Sequence, residues 1–491
     1  MNLASIIDPH PDDAPALLCG DRVIAYGELR RLVAGLRSAL VEAGVSPDDR
    51  VVLALPNDWP FVVAYLAVLG VGAVAVPVDP SLPPPALSAE LAAVEPVAAV
   101  VGEAAAAALA DVDPAAKPAV VMRAPDGLTE LAEGRPAPVV DRRPEDLALL
   151  VFTAGTAGPP KAAMLTHGNL LANLEQVQRH PGRALVPADV GYGVLPLFHV
   201  FGINVVLGLA LFAGSSVLLV ERFDPAEALG DIPRRRVSLL AGAPPLFAAL
   251  AAYEPATGDE LQGVRLAVSG AAALPPEVGE AFTDRFGIPL WQGYGLTEAA
   301  PVVTSSVIAG VPKPGSIGVP VPGVEVRLVD EGGEDALVGD RGELWVRGPN
   351  VFPGYWRDPT STAAVLTPDG WLRTGDIAVA DDDGYLYLVD RAKDLIIVSG
   401  FNVYPAEVED ALRAHPGVAD VAVVGAPDPR TGEMVEAFVV AAAGTPPTVE
   451  ELRRFCSERL AGYKCPGRVT FVEALARGVG GKLIRRAVRP G

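Results

Sequence analysis

Three cysteines in 491 residues, Cys19, Cys456 and Cys465, are too few and too scattered for a disulfide framework or a paired zinc-binding spacing. A fold held by its own core in a reducing compartment is expected, which means a cytoplasmic location. Dense clusters of lysine and arginine are also missing, and the formal charge is −21. Non-specific binding to nucleic acid or to an anionic membrane is therefore disfavoured, and anionic substrates must be captured locally. The opening stretch MNLASIIDPHPDDAP has no basic segment followed by an apolar one, so no secretion signal is expected. One uncharged run, residues 61–78, has 18 residues and reaches the length of a membrane span. Gly70, Gly72 and Pro77 divide it. A helix of about three turns and a short buried strand are expected there, not a span.

The chain is too long for one ordinary core and suits a large composite domain followed by a smaller one. Between Ile24 and Asp79 strand and helix alternate, with a helix expected over 26–43 and a strand over 50–55. Such alternation predicts a parallel sheet. The alanine-rich stretch 86–116 mixes helix with a strand over 97–101 and is read as packing. From Gly323 the period becomes two, in VEVRLVD and GELWVRG, which predicts antiparallel sheet closing the large domain as a small barrel. The last hundred or so residues read as a compact α+β unit. It has a helix over 405–414 opened by Pro405, strands over 418–424 and 435–442, a helix begun by the capping box Thr448 to Glu451, and a strand over 468–473.

Residues 151–169 read VFTAGTAGPPKAAMLTHGN, an apolar strand running into a loop of small residues and a lysine. Gly155 and Gly158 let backbone N–H groups approach an anion, Thr153 and Thr156 add hydroxyls, and Lys161 adds a positive charge. A solvent-exposed turn is the plain alternative for such a loop. A Walker A kinase or GTPase is disfavoured, because the G-x-x-x-x-G-K-[ST] spacing is absent and Ala162 follows the lysine.

This loop resembles the phosphate-binding motif of the acyl-adenylate-forming enzymes, the superfamily of acyl-CoA synthetases, aryl-CoA ligases, peptide-synthetase adenylation domains and firefly luciferase. The usual form is T-S-G-T-T-G-x-P-K-G, and this chain departs from it at Ala154, Ala157 and Ala162. Only the first two departures remove a hydroxyl, so weakened ATP binding is the expected consequence. Further motifs agree in order along the chain. In VLPLFHVFG, residues 194–202, the resemblance places His199 near the acyl carboxylate and Phe201 and Gly202 along the acyl tunnel, with Ala300, Pro301 and Val302 also on the acyl side. In VRLAVSGAAALP, residues 264–275, it lays adenine against the small residues Gly270, Ala271 and Ala272.

WQGYGLTEAAPVV, residues 291–303, carries the second strong signal. Tyr294 offers an aromatic face for adenine, Gly295 allows close approach, Gln292 and Gly293 flank them, and Thr297 and Glu298 supply hard oxygen ligands. The resemblance implies that Glu298 and Thr156 hold Mg²⁺ on the triphosphate. It also implies that Asp376 of WLRTGDIA binds both ribose hydroxyls and that Arg391 pairs with ribose or phosphate. Lys393 would be the hinge, Ser399 and Gly400 would begin the loop lining the pantetheine tunnel, and Lys482 of GVGGKLIRRAV would swing in to stabilise adenylation.

The implied fold is α/β. A large N-terminal AMP-binding domain, residues 1–390, combines stacked αβ sheets with a small β-barrel, and a small mobile α+β domain, residues 391–491, follows. The implied enzyme is an ATP-dependent acyl-CoA synthetase using ATP, Mg²⁺ and CoA, with Lys482, Lys161 and His199 catalytic and a medium- or long-chain fatty acid as substrate. An acyl-AMP ligase loading an acyl carrier protein and a catalytically weak adenylate- or acyl-binding protein are the alternatives.

Overall fold

The computed structural model describes residues 1–124, 137–153, 160–180, 183–391, 396–442 and 446–475. Two large sheets build the N-terminal part. One has six strands in the order Val120–Arg123, Ala98–Val101, Arg50–Ala54, Val74–Pro77, Leu147–Thr153 and Lys161–Thr166. All its pairings are parallel except the last, which is antiparallel. The other has nine strands, and its centre, from Pro15–Cys19 through Ser216–Leu219, Val190–Gly193, Leu239–Gly242 and Leu266–Ser269 to Leu290–Gly295, is wholly parallel.

Side-chain alternation in the central strand explains why a helix-covered parallel sheet forms. Val51 and Leu53 enter the core shared by the two sheets, whereas Val52 and Ala54 face a second core on the other side. The uncharged run resolves into helix Trp59–Val71, buried at every residue, and strand Val74–Pro77. Gly72 ends the helix at φ +82°, a left-handed conformation that glycine adopts without penalty. No described helix is long and apolar enough to cross a membrane.

The period-two stretch forms a four-stranded antiparallel sheet, Glu325–Val329, Gly342–Arg347, Leu372–Ala380 and Leu386–Arg391. Where a barrel is expected from sequence, these described strands form an open order, and a bridge between Gly318 and Leu386 ties its last strand to the segment entering the nine-stranded sheet. The C-terminal part is a separate five-stranded sheet with its own core, covered by helices Pro405–Arg413 and Val449–Ser457. The expected strand over 418–424 runs on to Asp428, because its partner Gly432–Ala441 keeps pairing as far as Asp428 with Gly432. The capping box forms as expected, Thr448 Oγ1 accepting from Glu451 N and Glu451 Oε2 accepting from Thr448 N.

Candidate active site

A cavity of about 580 Å³ opens where the two large sheets, the four-stranded sheet and the C-terminal part meet. Its position follows from topology. Loops at the carboxyl ends of parallel strands converge there, among them those after Leu266–Ser269 and Leu290–Gly295.

Part of the cavity lining carries polar groups. Gly270, Ala271, Ala272, Gln292, Gly293, Tyr294, Gly295, Thr297, Glu298 and Asp376 line the cavity, together with Thr153. Ala271 takes φ +65°, a conformation rare outside glycine that turns the chain flat against the cavity. Tyr294 Oη donates to Asp376 Oδ2 at 2.7 Å, so the aromatic wall and the ribose candidate form one unit. Thr374 fixes that unit from behind: its hydroxyl donates to Leu344 O at 2.7 Å and accepts from Asp376 N at 3.1 Å. Arg391 pairs with Asp376 through the backbone ladder of their two strands.

Glu298 is held from the opposite side by Tyr355, whose hydroxyl donates to Oε1 at 2.6 Å. Burial and the adjacent carboxylate push this phenol well above its usual range, which keeps it a donor. Thr153 and Lys161 are directly opposed across the antiparallel pair, and Lys161 Nζ stands 5.9 Å from the Tyr355 ring centroid. Mg²⁺ characteristically keeps several waters and takes one or two carboxylates plus substrate phosphates. Glu298 suits that demand, although no group of three or more His, Cys, Asp or Glu able to hold a metal occurs among the described residues. Gly155, Thr156, Gly158, Lys393 and Lys482, with Ala154 and Ala157, lie outside the described residues.

Other lining residues are apolar, and His199 and Phe201 line the cavity together with Val205, Val206, Leu239, Leu266, Val268 and Val307. Burial lowers the His199 pKa to about 4, so the ring is neutral near pH 7. Its accessible surface faces the cavity it lines, while the surrounding protein disfavours charge. Phe201 N donates to His199 Nδ1 at 3.4 Å, which leaves the proton on Nε2. A neutral N–H donor orients a carboxylate without trapping it as an ion pair.

Three glycine and alanine positions differ from their expected roles. Gly202 is closed off, since a Cβ there would meet Pro196 O at 2.1 Å, and it does not line the cavity. Gly295 does line it, but its missing Cβ serves the chain itself, where Pro301 O would stand 2.1 Å away. Ala300 is buried and offers its carbonyl to Asn204 at 2.7 Å, whereas its neighbours Pro301 and Val302 reach the cavity.

The C-terminal part closes one side. Gly400, at φ +88°, faces the large domain so closely that a Cβ would meet Ala243 Cβ at 3.0 Å and Ala271 Cβ at 3.5 Å. Ser399 does not line the cavity, and its backbone N–H donates to Thr431 O at 2.8 Å. Phe401 then stacks between Phe198 and Tyr463, at centroid separations of 6.1 and 4.5 Å. Lys464 Nζ donates to Glu407 Oε1 at 2.7 Å. Burial pushes the Glu90 carboxyl nearby up to about 8, with Lys464 opposing and Asp79 and Glu407 adding. Tyr355, Thr374, Phe401, Tyr463 and Glu90 are not singled out by sequence reasoning. Only Phe401, next to the Gly400 loop, carried a positional signal.

Fold and cavity together define a large α/β protein with a cavity lined by both polar and apolar residues. The chain belongs to the AMP-binding enzyme family: that family's model matches residues 5–356, and the AMP-binding enzyme C-terminal domain model matches residues 407–482. A feruloyl-CoA synthase from Amycolatopsis sp is 39% identical over 495 residues, spanning 98% of this chain and 96% of that protein. A long-chain-fatty-acid–CoA ligase from Yersinia pestis is 37% identical over 521 residues, spanning 97% of this chain and 91% of that protein. The solved structure of the amide bond synthetase McbA from Marinactinospora thermotolerans matches with a TM-score of 0.90 at 33% identity, covering 100% of this chain and 99% of that one. The chain is thus an acid–CoA ligase of the AMP-forming, ATP-dependent kind, and ATP, Mg²⁺ and CoA are the small molecules it uses.

Proposed function

We propose that the acid is apolar, a medium- or long-chain fatty acid, activated to acyl-AMP and then passed to the CoA thiol. The observation that carries this reading is the apolar share of the cavity lining, which includes Val205, Val206, Leu239, Leu266, Val268 and Val307. Burying an alkyl chain there contributes about 0.8 kcal/mol per methylene. An arylpropenoic acid is the second reading, favoured by the similarity to the feruloyl-CoA synthase and by the His180 imidazole that also lines the cavity.

In the first half-reaction a carboxylate oxygen attacks the α-phosphorus of ATP, and pyrophosphate leaves. His199 orients the carboxylate through Nε2, Asp376 holds the ribose, and the Tyr294 ring backs the adenine. Glu298 and Thr156 would hold Mg²⁺, which when bound would neutralise charge on the triphosphate. Lys161 and Lys482 stabilise the developing charge, which is the main catalytic work of a transfer that needs no protein nucleophile. In the second half-reaction the thiol attacks the mixed anhydride, forming the thioester bond as the bond to AMP breaks. The division at residues 390 and 391 belongs to this reading, with the C-terminal domain turning about Lys393 between the halves. In this reading the packing of Gly400 against Ala243 and Ala271 belongs to the arrangement of the second half.

Pyrophosphate release measured against a panel of fatty and aryl acids, with and without CoA, tests the assignment. Release that depends on medium- or long-chain fatty acids, with AMP and acyl-CoA as products, is expected. Release confined to arylpropenoic acids selects the second reading, and release with neither class overturns both.

A further inference from the structure

Tyr355 carries no motif signal, yet the chain fixes it firmly. Its backbone bridges Ala163 in the strand that begins at Lys161. The flanking residues continue that pairing, Met164 N donating to Gly354 O at 3.0 Å and Trp356 N to Ala162 O at 2.8 Å. Tyr355 N donates to Thr362 Oγ1 at 2.9 Å. The ring meets Phe352 edge-on with centroids 5.0 Å apart, and Phe352 N donates to Glu298 O at 2.9 Å. One segment therefore grips the strand of Lys161 on one side and the backbone of Glu298 on the other. The Tyr355 hydroxyl completes the arrangement on the Glu298 carboxylate.

A glutamate side chain has three rotatable bonds, and ordering it when a metal arrives costs conformational entropy. A donor already bonded to one carboxylate oxygen meets that cost in advance and fixes the direction the carboxylate presents. We infer that Tyr355 is a positioning residue for the Mg²⁺-binding carboxylate of Glu298, holding it in a set relation to Lys161. The inference rests on the proposal that Glu298 is the metal ligand. Its consequence is selective: loss of the hydroxyl weakens the metal in the nucleotide complex, while nucleotide affinity without metal stays as it was.

Tyr355→Phe removes the hydroxyl and keeps the ring against Phe352. Mn²⁺ binding to the protein with ATP, read by electron paramagnetic resonance, is the direct measurement, and the Mg²⁺ dependence of pyrophosphate release accompanies it. A thermal melt close to wild type shows that the variant is folded. Outer-shell partners of metal ligands typically contribute ten- to hundredfold in metal affinity, so half-saturating Mg²⁺ is expected to rise about tenfold or more, with most of the rate restored at high Mg²⁺. Unchanged Mn²⁺ affinity, or a loss of rate that no Mg²⁺ concentration restores, overturns the inference. Glu298→Gln separates the two claims. If it abolishes Mn²⁺ binding while Tyr355→Phe leaves the affinity unchanged, the positioning role fails and the metal ligand stands; if Glu298→Gln binds Mn²⁺ like wild type, both fail.

Discussion

Gly400→Ala should impair the two half-reactions unequally. The residue sits at φ +88°, and its would-be Cβ lies 3.0 Å from Ala243 Cβ. Carbon atoms at rest stand about 3.5–4.0 Å apart, so Ala243 must give way by a few tenths of an ångström. Both neighbours are backbone-borne, and neither can swing away as the end of a long side chain would. Overpacking of this kind costs about 1–3 kcal/mol, which corresponds to roughly five- to 150-fold in the population of the arrangement that contains the contact. The left-handed backbone adds a further cost of about 1–2 kcal/mol, but that term is local to residue 400 and applies wherever the loop keeps its shape. Only the steric term depends on the large domain.

Two assays isolate it. Acid-dependent ATP–pyrophosphate exchange reads adenylation, and CoA thioester formation from supplied acyl-AMP reads the second half. Gly400→Ala is expected to slow thioester formation by at least fivefold, a conservative reading of the cost of overpacking, and exchange by much less. Ala243→Gly removes the opposing Cβ and should return much of the lost rate in the double variant, a coupling that a purely local backbone effect cannot produce. Equal loss in both halves, or a double variant no better than Gly400→Ala, would refute the argument that this packing belongs to the thioester-forming arrangement.

Three other outcomes are expected. Glu90 has its carboxyl raised to about 8, so in the folded chain it stays protonated while the unfolded chain ionises, and stability falls as pH rises from the ordinary glutamate range to about 8. Glu90→Gln should therefore be more stable than wild type at pH 9, by roughly 5 kcal/mol at most, with no such advantage at pH 4, as urea midpoints at the two values will tell. His167 is lowered to about 4, burial being the chief cause, so the unfolded chain takes up its proton first and stability drops as pH falls from 6.5 to 4. Replacing it with Gln should flatten the acid side of the stability profile, by no more than about 3 kcal/mol over that window. Leu66→Ala, in the wholly buried helix, should cost about 2–5 kcal/mol of unfolding free energy; a loss below 1 kcal/mol by calorimetry would mean the two sheets close over the gap.

Where a local rule governs, the sequence was enough. Gly72 and Pro77 divided the apolar run at the right places, because a left-handed cap and an imino residue act within a few positions of themselves. The Thr448 capping box and the switch to antiparallel sheet after Gly323 were legible for the same reason. The candidate site was legible as a set of motifs and less so as a set of contacts. Gly202 and Gly295 look like places for a ligand to approach, yet each is small because another stretch of backbone crosses there. A sequence motif records that a Cβ is forbidden, not what forbids it.

The same limit explains Tyr355 and Phe401. Tyr355 reaches Glu298 across 57 residues, and Phe401 stacks on Phe198 from the other part of the chain. Nothing in the spacing of either residue marks such a partner, since helical and strand periods describe neighbours along the chain and not across a cavity. An aromatic residue with no periodic excuse, lying beside a glycine forced into the left-handed region, is the combination that both share: Gly354 precedes Tyr355 at φ +139°, and Gly400 precedes Phe401 at φ +88°. Each glycine precedes a ring that meets a site candidate, Tyr355 the proposed metal ligand and Phe401 the His199 ring edge-on. The rings thus meet the two charged or polar groups on which the proposed half-reactions depend.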